Sequence, residues 1–265
     1  MGGKKKFDTN YYSFNGDGNK GKSTVLKNSI IQQKNNSALK EGLETLIAVP
    51  ALSTVPVDFV ISLMGLKKPK TKIMFSKTTI LAQARDNFAN IALLDGYKYI
   101  LFIDSDMTFP DYAYERLLSH DADIVTGLCF ARRGYHDPCV YKEINYEDES
   151  IPVGQRLVPE TDINRDYFEV KACGMAFCLI KTDVLANICA TFDGQLFKYI
   201  SSFGEDLSFC IRALECGYKI YCDATIPIGH IGEETFTKAH YEAYKKLLDQ
   251  QKAAQEAAAQ NPKTE

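Results

Sequence analysis

The sequence predicts a single α/β domain built on a mostly parallel, twisted sheet that is flanked by helices. Short runs of β-favouring apolar residues alternate with amphipathic helical patterns between residues 46 and 222, and this alternation is typical of a sheet with right-handed crossovers. The run Tyr99–Ile103 contains five consecutive β-favouring residues, which indicates a strand buried on both faces. Apolar residues make up 45% and charged residues 25% of the 265 residues, the usual balance of a globular domain.

The amino-terminal half of this domain alternates strands and helices at short intervals. Pro56 suits the first turn of one helix, and Gly96 supplies the residue that ends the next. We expect strands at residues 46–49, 72–75 and 99–103, and helices at residues 57–66 and 79–94.

The carboxy-terminal half continues the pattern after an interruption. Residues 130–170 are polar and are predicted to contain few strands, which is typical of a mobile loop over a site. Around them we expect helices at residues 111–119, 182–189 and 205–216, and strands at residues 124–128, 177–180 and 219–222.

Both ends of the chain depart from this pattern. We expect residues 1–40 to form a flexible arm, residues 41–235 the folded domain, and residues 236–265 a helix with a frayed tail. Residues 16–23 match the phosphate-loop pattern Gly-x4-Gly-Lys-Ser. That loop requires a buried strand before it and a helix after it. Because residues 7–15 are polar, we reject this match as a nucleotide triphosphate site.

Charge, hydropathy and cysteine content exclude several classes of protein. A net charge of −3 and a pI near 5.9 argue against general nucleic-acid binding. The apolar runs are shorter than the ~18 residues of a membrane span, and no apolar segment follows the basic start, so neither a transmembrane segment nor a secretory signal is predicted. The eight cysteines show no Cys-x-x-Cys spacing and are predicted to be reduced core residues of a cytoplasmic protein.

Two carboxylates follow the central predicted strand. Asp104 and Asp106 fall just beyond its carboxyl end, where ligands bind in open α/β sheets. If the backbone stays extended, their spacing of two places both on one side, and a hard divalent cation relieves their mutual repulsion. The alternative is that the pair caps a helix beginning near Pro110.

Two further segments fit a nucleotide-binding crevice at the same edge of the sheet. Pro50, Ala51 and Ser53 belong to a small loop after the first strand. This loop either surrounds the base and ribose of a nucleotide or is an ordinary turn. Arg85 lies among small residues on a helix whose start faces the crevice. Its planar guanidinium suits a diphosphate, and the alternative is a solvated charge paired with a neighbour.

A third segment supplies acidic residues at a predicted helix start. Glu205 and Asp206 lie in the first turn, where the helix dipole favours the ionised form that a general base requires. Gly204 allows a substrate to approach the backbone closely. Simple helix capping would use the same residues. The helix itself is predicted by the apolar spacing of Leu207, Cys210, Ile211 and Leu214.

His230 lies between Gly229 and Gly232 in an otherwise apolar stretch at the end of a strand. A histidine among apolar residues is usually a core residue, but in this position the imidazole is able to reach outward to a metal. Together with Asp104, Asp106 and two diphosphate oxygens, it would give Mn²⁺ or Mg²⁺ a near-octahedral shell. The nitrogen ligand favours Mn²⁺.

In their order and spacing these segments resemble the A-type-fold (GT-A) glycosyltransferases with an Asp-x-Asp motif, similar to the family-two-like group and its phage and bacterial relatives. The resemblance implies a single Rossmann-like GT-A domain. It covers residues 47–230 and rests on the first-strand loop, Arg85-Asp86-Asn87, the Asp-x-Asp run at 102–106, residues 172–177, Gly204-Glu205-Asp206 and Gly229-His230.

The resemblance also implies roles for individual residues. Asp104 would contact the nucleotide or its metal, and Asp106 and His230 would bind the metal. The arm has no counterpart in the family. No acidic residue directly follows the first strand, where the family recognises the base, although Asp58 would be able to substitute.

On the side of the sugar, the resemblance implies that Gly174 and Met175 lie beside the donor sugar and that Asp206 or Glu205 faces the acceptor. The predicted function is therefore metal-dependent transfer of a sugar from a UDP- or GDP-sugar to a hydroxyl of a protein, glycan or small molecule. One alternative is a sugar-nucleotide nucleotidyltransferase, although residues 50–54 lack the glycine-rich basic loop which that chemistry usually uses. The other is a non-catalytic binding or assembly protein, against which the intact acidic residues argue.

Overall fold

The computed structural model describes residues 37–78, 80–132, 136–146, 156–232 and 235–260. The match to the phosphate loop and most of the predicted arm lie outside these residues. The strands are β1 (Thr45–Ala51), β2 (Thr71–Lys77), β3 (Tyr99–Ile103), β4 (Met107–Thr108), β5 (Ile124–Gly127), β6 (Val140–Ile144), β7 (Leu157–Pro159), β8 (Tyr167–Val170), β9 (Ala172–Cys173), β10 (Phe177–Lys181), β11 (Ile220–Asp223), β12 (Gly229–Ile231) and β13 (Thr235–Phe236). The helices are α1 (Ser37–Lys40), α2 (Val57–Gly65), α3 (Leu81–Asp95), α4 (Ala113–Ser119), α5 (Thr182–Thr191), α6 (Glu205–Glu215) and α7 (Lys238–Gln260).

Seven strands form a central sheet in the order β2-β1-β3-β10-β5-β11-β8. Strand β1 is parallel to β2 and β3, and β11 is parallel to β5. Strand β10 is antiparallel to β3 and β5, and β8 is antiparallel to β11. Five of the seven strands therefore point the same way, so the predicted mostly parallel sheet flanked by helices is confirmed.

Two layers of apolar side chains cover the two faces of this sheet. The first layer includes Phe88 of α3, Leu185 of α5 and Phe209 of α6. The second includes Phe59 of α2 and Leu117 of α4. Successive side chains of a strand point to opposite faces, so β3 supplies both layers, with Ile100 and Phe102 in the first and Leu101 and Ile103 in the second.

Strand β1 is longer than the sequence pattern predicts, because it continues through Pro50 and Ala51. Proline has no N–H to donate and is tolerated in a sheet where that donor is not needed. Strand β1 pairs with β2 along its whole length but with β3 only over Thr45–Ala48. Pro50 lies beyond the stretch that pairs with β3, so the strand accommodates it.

Residues 130–170 contain more strands than predicted. Strand β6 pairs with β7 and β9 in a small antiparallel sheet, and β8 forms one edge of the central sheet. Most residues of β6 and β7 are partly or fully exposed. Such short, half-exposed strands produce no continuous apolar run, so the pattern that revealed the central strands is absent here.

A further small sheet has the order β13-β12-β4. Its register pairs His230 of β12 with Met107 of β4. The backbone N–H of Ile231 also donates to the carbonyl of Asp106 at 2.7 Å. This sheet therefore brings His230 beside the Asp-x-Asp segment from 124 residues farther along the chain.

The segments that flank the domain pack onto it. Ala38 of α1 is 1% exposed and belongs to the first apolar layer, and its carbonyl accepts the N–H of Leu43 at 2.8 Å. Tyr241 of α7 is 5% exposed, and its ring centroid lies 5.5 Å from that of Phe130. Among the described residues before the predicted boundary at residue 41, Ala38 is thus part of the core.

Candidate functional site

The candidate site lies at the edge of the sheet where the parallel strands end. Asp104 follows the last residue of β3, and Glu205 and Asp206 begin α6. Arg85 of α3 reaches the same place, which brings together residues 120 positions apart in the sequence. Convergence at this edge is expected, because the carboxyl ends of parallel strands lie side by side.

Arg85 is the centre of this cluster. It donates from Nη2 to Asp104 Oδ1 at 2.9 Å, from Nε to Glu205 Oε1 at 3.4 Å and from Nη1 to the Met175 carbonyl at 3.4 Å. Its guanidinium carbon also lies 5.4 Å from the centroid of the Phe102 ring. Burial alone would lower the pKa of Arg85, but the neighbouring carboxylates raise it above its ordinary value.

This placement corrects the prediction that Arg85 contacts a diphosphate. The residue is 1% exposed, and all three guanidinium nitrogens donate within the protein. A guanidinium that is buried and donates from each nitrogen to the protein holds carboxylates in position and is not exposed to a ligand. Arg85 therefore lies beneath the candidate site and supports Asp104 and Glu205.

Asp106 and His230 form the second half of the site. The distance from Asp106 Oδ2 to His230 Nε2 is 3.5 Å. Burial raises the pKa of Asp106, but the hydrogen bond and charge of His230, together with the charge of Arg132, outweigh burial and lower it below the ordinary value. Asp106 is thus held in its ionised form.

The other ring nitrogen of His230 decides which atom faces Asp106. Nδ1 lies 2.7 Å from the carbonyl oxygen of Phe130, and a carbonyl only accepts hydrogen bonds, so Nδ1 carries a proton. Nε2 faces the Asp106 carboxylate. In the imidazolium form it carries a second proton that pairs with Asp106, and in the neutral ring it offers a lone pair that a cation placed between the two side chains would bind. A histidine that donates to a backbone carbonyl through one nitrogen and offers the other is the usual arrangement of a metal ligand.

The three-residue metal set predicted from the sequence is not assembled in full. Among the residues that the structure describes, no three His, Cys, Asp or Glu side chains converge in a way that would hold a metal ion. The backbone turns at Ser105 and Asp106 and does not stay extended. Asp104 consequently faces Arg85, while Asp106 faces His230. The donor set of Asp106 and His230 fits a divalent cation whose remaining ligands come from substrate or water.

Asp206 is partly buried at the start of α6 and lies near Gly174. A Cβ atom placed on Gly174 would be 3.8 Å from Asp206 Oδ2. Burial and the adjacent Glu205 raise the pKa of Asp206 to about 6, although the Leu207 N–H and the charge of Arg85 lower it. The sequence predicts that the helix start favours the ionised form and so lowers this pKa. In the structure desolvation outweighs that effect, and the pKa is raised.

Gly174 and Met175 lie in the connection between β9 and β10, close to Arg85 and Asp206. The N–H of Gly174 donates to the carbonyl of Cys139 at 2.9 Å. Met175 is 1% exposed and packs in the first apolar layer. Its side chain is therefore not exposed to a sugar, and its carbonyl accepts a hydrogen bond from Arg85.

The first-strand loop is shorter than predicted. Pro50 is buried and Ala51 is 9% exposed, and both belong to β1, whereas Ser53 is exposed beyond the strand. The residues open to a base and ribose are thus those from Leu52 onward. The contact predicted for Pro50 and Ala51 does not agree with their burial.

Arg132 is a charged residue at the site that the sequence analysis did not select. Its Nη1 lies 3.1 Å from Asp106 Oδ2 and also donates to the Ile231 carbonyl at 3.1 Å. The side chain is 45% exposed, so a ligand has access to it. A usable sequence signal is its position a few residues after β5, another strand that ends at this edge of the sheet.

A cleft with a volume of about 560 Å³ lies beside β12. It is lined by Thr108 of β4, Gly229 of β12 and Phe130, among other residues, and these adjoin the Asp106–His230 pair. Neither Asp106 nor His230 lines the cleft itself. None of the carboxylates around Arg85 lines it. The cleft therefore borders only one half of the candidate site.

The sheet order, the helices on both faces and the acidic strand ends define a GT-A-like fold. Solved structures that are similar to the chain include the following two. The crystal structure of A197 from STIV matches with a TM-score of 0.51 and 19% identity over 75% of this chain and 92% of that one. The structure of GalNAc-T7 with UDP, GalNAc and Mn²⁺ matches with a TM-score of 0.50 and 14% identity over 72% of this chain and 44% of that one.

Sequence comparisons add no relatives to these. No protein-family model matches the chain, and no curated protein matches it significantly. Within the described part of the chain, no helix combines the length and hydropathy of a membrane-spanning segment. The structural similarity establishes the fold alone.

Proposed function

We propose that this protein is a glycosyltransferase that uses a divalent cation, Mn²⁺ or Mg²⁺, to move a sugar from a nucleotide-diphosphate donor to a hydroxyl acceptor. The observation that carries the proposal is the pairing of Asp106 with His230 at 3.5 Å, with His230 Nδ1 committed to a backbone carbonyl. The GT-A-like fold supports it, as does the presence of UDP and Mn²⁺ in the similar structure of GalNAc-T7.

In this proposal Asp106 and His230 hold the cation, with Mn²⁺ favoured by the imidazole nitrogen. The bound cation would neutralise the diphosphate of the donor as it leaves. Arg132 is the exposed cationic side chain beside Asp106, and we assign to it the diphosphate contact that the sequence suggested for Arg85. Asp104, with Oδ1 held by Arg85, offers Oδ2 to the nucleotide.

Asp206 takes the proton of the acceptor hydroxyl. A pKa of about 6 leaves it ionised at neutral pH but close enough to neutrality to accept a proton readily. Glu205 is paired with Arg85, so it positions the start of α6. Gly174, beside the Asp206 carboxylate, leaves room for the sugar.

Titration calorimetry with UDP and GDP, each with Mn²⁺ or with a chelator, tests this assignment. We expect affinity for one nucleotide that depends on Mn²⁺ and is lost in Asp106→Asn, because one of two protein ligands is removed. Asp111→Asn is the matched control, since Asp111 is an exposed carboxylate that pairs with Lys67 away from the Asp106–His230 pair. Equal affinity with and without Mn²⁺ would refute the proposal, and metal-dependent binding without transfer from any UDP- or GDP-sugar would favour a non-catalytic binding protein.

A further inference from the structure

Exposed apolar side chains are concentrated in one stretch of the described sequence. Eleven large hydrophobic residues are exposed among all the described residues, and seven of these eleven lie between residues 52 and 81. Of the four outside this stretch, three are tyrosines, which carry a polar hydroxyl, and the fourth is Leu247. Isolated exposed apolar residues are normal, whereas a concentration of them marks an interaction surface.

Helix α2 carries the core of this surface. Val57, Ile61 and Met64 are 72%, 63% and 76% exposed, and their spacing of four and three residues places them on one face. The opposite face buries Phe59 and Leu63. When a helix is apolar on both faces and only one face packs on the core of its own domain, the other face is available to contact a second apolar environment.

Strand β2 extends the apolar surface. Phe75 is 51% exposed and pairs in register with Val49 of β1. Val49 packs in the same apolar layer as Phe59 of α2, so Phe75 lies on the α2 side of the sheet. Phe75 and the exposed face of α2 therefore lie on the same side of the sheet, and Val57, Ile61, Met64 and Phe75 are together called the apolar stripe.

Lysines follow the apolar residues of α2 in the sequence and continue along β2. Lys77 lies on the same side of the sheet as Phe75, whereas Lys72 faces the other side, because it pairs in register with Leu46 of the first apolar layer. Residues 57–77 contain five lysines and a single acid, Asp58, although the whole chain has a net charge of −3. Lys67 pairs with an acid at 2.9 Å and Lys70 with another at 3.1 Å, in exposed bridges that contribute little to stability. Lys68 Nζ donates to the carbonyl of Leu63 at 2.8 Å, at the end of the stripe.

We propose that the apolar stripe and its flanking lysines bind the surface of an anionic lipid bilayer. In this arrangement α2 lies along the surface, its apolar side chains enter the boundary of the acyl chains, and the lysines contact the headgroups. The lysine excess within an acidic chain supplies the charge complementarity for this partner.

A second copy of the chain fits this surface less well. A two-fold contact places the same patch on both sides of the interface. The lysines of one copy would then face those of the other, and like charges oppose association. An anionic bilayer neutralises them instead.

Vesicle sedimentation with the full-length chain tests the proposal. We expect binding to vesicles that contain phosphatidylserine and no binding to vesicles of phosphatidylcholine alone, with weaker binding at high salt. Ile61→Ser with Met64→Ser should abolish binding, whereas Leu247→Ser, an equally simple change at an exposed leucine of α7, should not. Lys77→Gln should weaken binding about fivefold, the effect of one lysine near the surface.

Two outcomes would overturn the proposal. One is unchanged vesicle binding by the Ile61→Ser, Met64→Ser variant, which would locate the contact elsewhere. The other is an absence of vesicle binding by the unmodified chain; if sedimentation velocity then shows a dimer that the double variant dissociates, the stripe binds a second copy. Neither outcome depends on the nucleotide measurements above.

Discussion

Asp206 combines two properties that suit a general base, a pKa near neutrality and a carboxylate beside a glycine that has no side chain to cover it. Burial and Glu205 raise its pKa to about 6, and Gly174 leaves space next to Oδ2. A base with this pKa gains its charge as pH rises through about 6. We therefore expect the rate of sugar transfer to increase through that range.

The substitution Asp206→Asn tests this role. The amide oxygen is able to keep the hydrogen bond from the Leu207 N–H, now 2.8 Å to Oδ1, but the proton acceptor is lost. Turnover should fall by about 10²–10⁴-fold, donor affinity should change little, and the rise in rate near pH 6 should disappear. Retention of anomeric configuration together with near-normal turnover would show that Asp206 is not the base.

The same substitution should change the pH dependence of stability. Because the folded-state pKa of Asp206 exceeds its ordinary value of 3.8, this residue holds more protons in the folded chain than in the unfolded chain between about pH 4 and 6, so its contribution to stability falls as pH rises. Asp86, whose pKa burial also raises to about 6, contributes the same slope. Asp86→Asn is the matched control: urea unfolding should show a reduced slope in both variants, and only Asp206→Asn should lose turnover.

Gly174→Ala tests the space beside this base. The added Cβ would lie 3.5 Å from Cys139 Cβ and 3.8 Å from Asp206 Oδ2, ordinary contact distances that the fold tolerates. The methyl group would occupy the place that we assign to the sugar, so turnover should fall about tenfold or more with thermal stability unchanged. Gly65→Ala, which adds a Cβ with nothing within 4 Å, should keep full turnover; an active Gly174→Ala variant would place the sugar elsewhere.

At the scale of elements, Arg85 ties α3 to the end of β3 and to the start of α6. It joins Asp104 and Glu205 through a guanidinium that is 1% exposed. Removing one partner of a buried ionic cluster leaves the others uncompensated, which costs more than the cluster contributed. The geometry of both acidic elements thus depends on one side chain.

Arg85→Met should lower the free energy of unfolding by about 3–5 kcal/mol, measured by urea denaturation. Arg132→Met, at an exposed arginine that also pairs with an aspartate, should lower it by at most about 1 kcal/mol. Adding Glu205→Gln to Arg85→Met should restore part of the loss, because one uncompensated charge is removed. A loss below about 1 kcal/mol in Arg85→Met would show that the carboxylates are solvated without it.

At the scale of the whole molecule, the folded unit extends to α1. Ala38 is buried in the first apolar layer. The stability of a truncated chain therefore depends on whether the truncation removes Ala38. Removing residues 1–36 should leave stability and metal-dependent nucleotide binding intact. Removing residues 1–41 should lower the melting temperature, because Ala38 and its hydrogen bond to Leu43 are lost.

Calorimetry and thermal unfolding of both truncated chains measure these effects. Loss of nucleotide binding by the chain that starts at residue 37, with its melting temperature unchanged, would implicate the phosphate-loop match at residues 16–23. That result would contradict our rejection of the match. Equal melting temperatures for the two truncated chains would show that α1 contributes nothing to the fold.

The sequence by itself determined the sheet and the edge at which the acids meet. Strand β3 is buried on both faces, so it appears as an uninterrupted apolar run ending at Asp104. The apolar spacing of α6 likewise predicted its start at Glu205. Local periodicity is enough to predict such elements, because the pattern of apolar residues in the sequence follows which side chains are buried.

Only the tertiary structure decided which side chains face one another. The antiparallel insertion of β10, the pairing of Arg85 with Asp104 and the register that brings His230 to Asp106 join distant parts of the chain. Such contacts depend on how elements pack and leave no local pattern in the sequence. The sequence therefore predicts a ligand contact for Arg85, although packing buries it, and does not distinguish Arg132, although packing exposes it beside Asp106.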